Sequence, residues 1–160
     1  MKQLIFRRTK IIIRKARIDD AKKIKTLIEG FAKQNLMLIR PLSDIYECIR
    51  DFCVLEIDGK ICGCGALHIF WEDIAEIRSL CVNSEYQRKG LGKEIVNFLI
   101  EEARQLKLKK VFALTYQVVF FKSIGFEIVD KSHLPQKIWS ECVKCPKFPD
   151  CDEVAMIRKI

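Results

Sequence analysis

The chain has 160 residues, 49% of them hydrophobic and 31% charged, with a net charge of +8. That balance implies a single folded domain with a sizeable core and excludes a disordered polymer. No apolar run nears the ~18–20 residues a membrane helix needs, and Leu4-Ile5-Phe6 is too short an apolar core for a signal peptide. A cytoplasmic protein is expected, with residues 1–10 a basic N-terminal extension and 11–160 one domain.

In chain order, Ile11 to Ile18 is β-branched and strand-like. Asp19-Asp20 caps a helix from about Ala21 to Asn35 whose apolar face is Ile24, Leu27, Ile28 and Phe31. Pro41 breaks the chain before a short helix around Ile45 to Ile49. Phe52–Ile57 and Ile61–Phe70 read as strands joined at Asp58-Gly59, a hairpin turn. Trp71-Glu72-Asp73 turns the chain into a central strand, Ile74 to Val82. A long helix follows, with Leu91, Ile95, Phe98, Leu99, Ala103 and Leu106 as its apolar stripe. Val111–Tyr116 is a strand, Val119–Ile124 a short helix ending at Gly125, and Phe126–Val129 and Val154–Ile160 are the last strands. Residues 132–152 form a cysteine- and proline-rich insert. The fold class is α/β (α+β), a mostly antiparallel sheet with flanking helices.

The charge is uneven. Residues 1–40 carry 12 lysines and arginines against three acids, and the rest of the chain is nearly balanced. Few aromatics accompany the basic stretch, so no nucleic-acid partner is expected. An anionic small molecule or a solvated basic face accounts for it. Eight cysteines in such a chain argue for reduced thiols. Cys48, Cys53, Cys62, Cys64 and Cys81 sit among apolar neighbours, as core thiols do. Cys142-x2-Cys145-x5-Cys151 is an incomplete zinc pattern with His133 as a fourth candidate, and a packed loop is the simpler reading.

The chemistry is written after the central strand. Asn83 to Tyr86 make a polar turn, and Gln87-Arg88-Lys89-Gly90-Leu91-Gly92-Lys93 is a basic, glycine-punctuated loop opening a helix. Such a junction suits a phosphate group, because glycines admit close backbone approach and a helix start offers unpaired N–H donors. The dinucleotide fingerprint and the Walker loop both fail on spacing. Gln-Arg-x-Gly-x-Gly after Leu-x-Val resembles the acetyl-CoA signature of the GNAT N-acetyltransferases.

The resemblance implies a GNAT fold, splayed at the acetyl-CoA site. It implies that residues 87–93 hold the coenzyme's pyrophosphate and that Leu80, Cys81 and Val82 pair with its pantetheine arm. The Val82 N–H would be the donor to the thioester oxygen. Phe121-Lys122-Ser123-Ile124-Gly125-Phe126 is similar to a later family motif in which Phe121 replaces the tyrosine that protonates the departing thiolate. A phenylalanine cannot do so, and Tyr116 is the remaining acid candidate. Gly63 to His68, Trp71 to Leu80, Leu114-Thr115-Tyr116, Leu134 to Trp139 and Cys142 to Glu153 resemble the short, single-domain N-acetylglutamate synthases. That implies acetyl transfer from acetyl-CoA to glutamate's α-amine, the first step of arginine biosynthesis, with no metal required and a homodimeric assembly suggested.

Alternation along the central strand puts Glu76, Arg78, Leu80 and Val82 on one side unless a bulge intervenes, and points Cys81 away from Glu76. Glu76 is the candidate base. Arg78, then Arg40, then Lys131 and Lys137 are candidates for glutamate's carboxylates, since a guanidinium binds them bidentately. Direct attack is preferred to an acetyl-Cys81 intermediate. An acetyltransferase for a protein N-terminus or lysine, and a non-catalytic acetyl-CoA sensor, are the alternatives.

Overall fold

A computed structural model of the chain describes residues 2–6 and 9–160, and side chains from residue 9 onward except those of Lys137 and Ile138. The elements are β1 (Lys2–Phe6), β2 (Thr9–Lys15), α1 (Ala21–Ala32), α2 (Leu42–Glu47), β3 (Phe52–Ile57), β4 (Lys60–Trp71), β5 (Ile74–Val82), α3 (Leu91–Gln105), β6 (Lys110–Thr115), α4 (Val118–Ser123), β7 (Glu127–Ile128), α5 (Gln136–Cys142) and β8 (Val154–Lys159). They gather into two compact units. One comprises Met1–Leu67 and Ile77–Glu102, the other His68–Glu76 and Ala103–Ile160. Of the basic start, Lys2–Phe6 pairs with β2 as a strand, while Met1, Arg7 and Arg8 lie outside the described residues.

The first unit is an antiparallel meander with helices on both faces. β1 pairs with β2, β2 with β3 and β3 with β4, the last ladder shifting register between Leu55 and Glu56. Asp58 and Gly59, at φ of 47° and 81°, turn the β3–β4 hairpin as the Asp-Gly pair foretells. The period of two along β4 then divides the core. Cys64 and Ala66 join Ala21, Ile24 and Ile28 of α1, Ile45 of α2, and Val54. Gly63 and Gly65 lie opposite, and a Cβ on Gly65 would stand 2.9 Å from Ile95 Cγ2 and 3.2 Å from Leu99 Cδ1. Bare backbone at β4 therefore lets α3 sit close.

One buried ionic cluster anchors this unit. Arg14 on β2 grips the Asp20 carboxylate through Nη1 at 2.7 Å and Nη2 at 3.1 Å, and its Nε donates to Glu56 at 3.1 Å. Asp20, only 2% exposed, also accepts the Arg17 N–H at 2.8 Å. Burial pushes its carboxyl upward, but the Arg14 and Arg17 hydrogen bonds outweigh that and hold it below the usual value.

The second unit is built on β6. Ile74–Glu76 of β5 run parallel to Lys110–Phe112, and that ladder's last rung is Glu76↔Phe112. β6 pairs antiparallel with β8, and β8 with β7. Phe70, Ile74, Phe112, Leu134 and Ala155 form its core. The cysteine-rich segment contains a helix, α5, that composition does not announce.

Two details depart from the periodicity. On α3 the buried residues are Leu91, Ile95, Val96, Leu99, Ile100 and Ala103, a broader stripe than expected, with Phe98 only half-buried. Leu106 is 50% exposed, because the helix ends at Gln105 and Lys107 turns to a φ of 60°. α1 stops at Ala32, with Asn35 at a φ of 56° beyond it.

Candidate active site

In the first unit the end of β5 is irregular, and the irregularity decides where its side chains go. Ser79 takes a φ of 55°, a conformation that an extended strand does not tolerate without a bulge. The expected alternation is therefore corrected. Leu80 reaches the α3 side, where a Cβ on Gly65 would meet its Cδ1 at 3.4 Å. Cys81 turns into the α1–α2 core, in the cluster against which Cys48 packs. The Arg78 charge also acts on the Cys48 thiol. Burial and Asp51 raise the Cys48 pKa, and Arg78 and Arg40 together act against the rise. Two guanidiniums 38 residues apart in sequence thus both act on one thiol of the first unit. Cys81 Sγ stands 3.6 Å from Cys64 Sγ, and the Cys64 thiol donates to the Ser79 carbonyl at 3.4 Å.

The loop after β5 is tied at both ends. The Asn83 N–H donates to the Cys62 carbonyl at 2.7 Å, and the Asn83 side chain accepts the Glu85 N–H at 3.2 Å. Gln87 Nε2 then reaches back to the Val82 carbonyl at 2.9 Å. Arg88 and Gly90 adopt left-handed conformations, φ 59° and 78°, so the chain doubles over immediately before Leu91 starts α3. Gln87 to Gly90 are exposed, and Lys89 Nζ lies 5.5 Å from the centre of the Tyr86 ring. Inside the helix the first acceptor is Gly90, whose carbonyl takes the Glu94 N–H at 3.1 Å. The donors of Leu91, Gly92 and Lys93 precede that first bond, at the positive end of the helix dipole. Backbone donors at a helix start, two exposed cations and a pinned loop suit a diphosphate.

The second unit holds the remaining candidates. Glu76 occupies the last rung of the β5–β6 ladder, half-buried, and its charge, behind burial and Cys151, helps raise the Cys142 pKa. Tyr116, just past β6, is 37% exposed and donates to Asp152 Oδ1 at 2.6 Å. Lys147 Nζ donates to the Tyr116 hydroxyl and lies 4.4 Å from its ring centre. The Asp152 hydrogen bond raises the Tyr116 pKa and the Lys147 contact opposes it. Sequence reasoning missed both partners. The only signal was their place in the insert that resembles the synthases.

Phe121 is a core residue of this unit, edge-to-face with Phe120 and Phe126 at 5.2 and 5.0 Å. Lys131 Nζ is given to the Cys151 carbonyl at 2.9 Å, and Lys137 lies on α5 with its side chain outside the described residues. His68 stacks edge-on against Phe70 at 5.0 Å, with Nε2 3.9 Å from Glu141 Oε1. Cys142, Cys145 and Cys151 are half-buried free thiols. Among the described residues their sulfurs do not converge within 4.8 Å as a group of metal ligands.

Comparison with known proteins places this geometry. Residues 24–126 match the acetyltransferase (GNAT) family model. The chain is 39% identical over 92% of its length to an uncharacterised N-acetyltransferase of Chlorobaculum tepidum, covering 96% of that protein. It is 35% identical over 81% of its length to the amino-acid acetyltransferase of Mycobacterium tuberculosis, covering 76% of it. A Mycobacterium tuberculosis protein solved with CoA superimposes with a TM-score of 0.80 at 30% identity, covering 93% of this chain and 99% of that one. The N-acetylglutamate synthase of Neisseria gonorrhoeae, solved with coenzyme A and N-acetyl-glutamate, gives 0.85 at 27% identity over 93% of this chain and 35% of that longer one. The expected coenzyme is thus acetyl-CoA, and the sheet with its flanking helices is the fold the resemblance implies. The chain belongs to the GNAT family and is an acetyl-CoA-dependent N-acetyltransferase.

Proposed function

We propose that the chain transfers the acetyl group of acetyl-CoA to the α-amine of L-glutamate, the first step of arginine biosynthesis. This reading is carried by the likeness to an amino-acid acetyltransferase over most of both chains, and Arg40 and Arg78, whose charges both act on the Cys48 thiol, are its candidate carboxylate partners. An acceptor with two carboxylates needs two cations at one place, and a guanidinium holds a carboxylate through two parallel hydrogen bonds. The synthase structure holding N-acetyl-glutamate points the same way. In this reading the protein works in the cytoplasm, as a homodimer.

The chemistry is direct attack. Glu76 takes a proton from the glutamate ammonium, directly or through one water, and frees the amine lone pair. The amine adds to the thioester carbon while the Val82 N–H receives the developing oxyanion. Collapse expels the CoA thiolate, which takes its proton from Tyr116. Residues 87–93 hold the pyrophosphate, and the β5 end, Leu80 to Val82, guides the pantetheine arm. An acetyl-Cys81 intermediate is disfavoured because that thiol is buried against Cys64, whatever the strand parity.

The test is CoA release from acetyl-CoA with each free amino acid in turn, for the wild type and Arg78→Ala. Glutamate-dependent turnover is expected. In the variant kcat/KM for glutamate should fall roughly 10- to 100-fold, the loss of a charge-assisted hydrogen bond worth about 1.5–3 kcal/mol, with KM for acetyl-CoA unchanged. Acetyl-CoA binding without glutamate turnover would overturn the reading in favour of a protein acceptor or a sensor.

A further inference from the structure

Tyr116, the acid candidate of the proposed mechanism, has its side chain held by a built polar cluster. The cluster comes wholly from the segment between α5 and β8. Asp152 accepts the phenol O–H at 2.6 Å, and Lys147 donates to the phenol oxygen while its ammonium covers the ring face at 4.4 Å. Glu153 fixes Lys147 in turn, Oε1 lying 3.7 Å from Nζ. Lys131 ties the same segment down at the Cys151 carbonyl, one residue before Asp152. Anchoring a loop requires none of this arrangement. A tyrosine needs one partner to be satisfied, and this one has an anion and a cation on the same oxygen.

We infer that Lys147 and Asp152 are positioning residues for proton delivery by Tyr116, converting the cysteine-rich segment into part of the catalytic apparatus. The inference rests on the reading of Tyr116 as the acid. Before reaction the O–H points at Asp152, which keeps the phenol protonated, and as charge develops on the leaving sulfur the O–H swings from Asp152 to it. When the C–S bond breaks, its electron pair leaves on sulfur. The Tyr116 proton moves to that thiolate, giving the CoA thiol and a tyrosinate. The Lys147 ammonium already sits at the tyrosinate oxygen and returns a proton to it, and solvent reprotonates the amine. No oxidant or further reactant is needed. Lys147 thus lowers the cost of the phenolate, while Asp152 guards against its premature formation.

The two partners pull the phenol in opposite directions, and this separates a proton-transfer role from a structural one. The charged groups on the phenol are Asp152 and Lys147, with Glu153 behind Lys147. The experiment is the pH profile of kcat for wild type, Lys147→Ala, Lys147→Arg, Asp152→Asn and Tyr116→Phe, with acetyl-CoA binding and thermal midpoint as folding controls. Lys147→Ala should move the basic limb to higher pH and lower kcat about ten-fold, a share of the ~10²–10⁴ that a positioned acid supplies, with KM for acetyl-CoA unchanged. Asp152→Asn should move the basic limb to lower pH, and Lys147→Arg should recover most of the rate. In a Tyr116→Phe background, Lys147→Ala should cost nothing further. A Tyr116→Phe enzyme with wild-type kcat sinks the acid assignment itself. A large Tyr116→Phe loss with both limbs unmoved, or a Lys147→Ala loss undiminished in that background, overturns the inference while leaving the acid assignment standing.

Discussion

Two ionic clusters in this chain use nearly the same chemistry for different ends. Arg14, Asp20 and Glu56 form a buried cluster in the first unit, and Tyr116, Lys147, Asp152 and Glu153 form a more open one in the second. In the first, every charge is answered at hydrogen-bond distance and Asp20 is 2% exposed. Its role is to hold β2, β3 and the start of α1 in register. In the second, a phenol stands in water's reach between opposite charges. Burial makes a charge pair indispensable to folding, and exposure leaves it free to take part in a reaction.

Breaking the buried cluster should have the largest effect on stability. Asp20→Ala leaves Arg14 buried with one carboxylate instead of two and should destabilise the fold by about 3–5 kcal/mol. Denaturant unfolding would measure it, and a loss near zero would erase the distinction between the clusters. The pH dependence follows in sign. Because the folded Asp20 pKa is lowered, its contribution is present above the ordinary carboxylate pKa and is lost as pH falls through the folded one. The acid limb of stability should be shallower in Asp20→Asn.

A middling effect is expected at the phosphate loop. Gly90 has open space around its Cβ position, so Gly90→Ala meets no clash. Its φ of 78° still costs a side chain about 1–2 kcal/mol. Calorimetry should show CoA affinity weakened about five- to thirty-fold by that strain, with little change in unfolding. Unaltered CoA binding would mean that the loop's shape does not matter to the coenzyme. The smallest effect belongs to an ion pair on α1. Lys25 and Glu29 pair at i,i+4 on its surface, so Glu29→Ala should cost only about 0.3–0.5 kcal/mol. A loss as large as that of Asp20→Ala would show that exposure is not what separates the two clusters.

Local chemistry made much of this legible in advance. The Asp58-Gly59 turn, the strand–loop–helix order from Ile74 to Gln105, and the Gly125 stop all depend on residues adjacent in sequence. What escaped was non-local or lacked a period. Asp20 reads as a helix cap, but its side chain makes no cap bond to α1 and is taken by the strand arginine Arg14 and the Arg17 N–H, which nothing nearby in sequence reveals. A bulge at Ser79 leaves no composition signal, yet it shifts Cys81 to the face expected to exclude it and sends Leu80 to the other. Tyr116 was nameable from its place near the expected splay, but Lys147 and Asp152 lie 31 and 36 residues away.

The four deeply buried thiols of the first unit carry a last consequence. Cys53, Cys62, Cys64 and Cys81 are each at most 6% exposed, and burial pushes the Cys53 thiol up to about 12. Only thiolates attack an alkylating reagent, so Cys53, Cys62 and Cys64, whose pKa values are raised, are shielded twice, by access and by protonation, and Cys81 is shielded by access. Cys48, Cys142, Cys145 and Cys151 are only half-buried and lack the shield of access. A covalent probe therefore reads this chain as two populations, one labelled at once and one released only when the meander opens. The slow population is a built-in stopwatch for the breathing of the unit that carries the proposed phosphate loop.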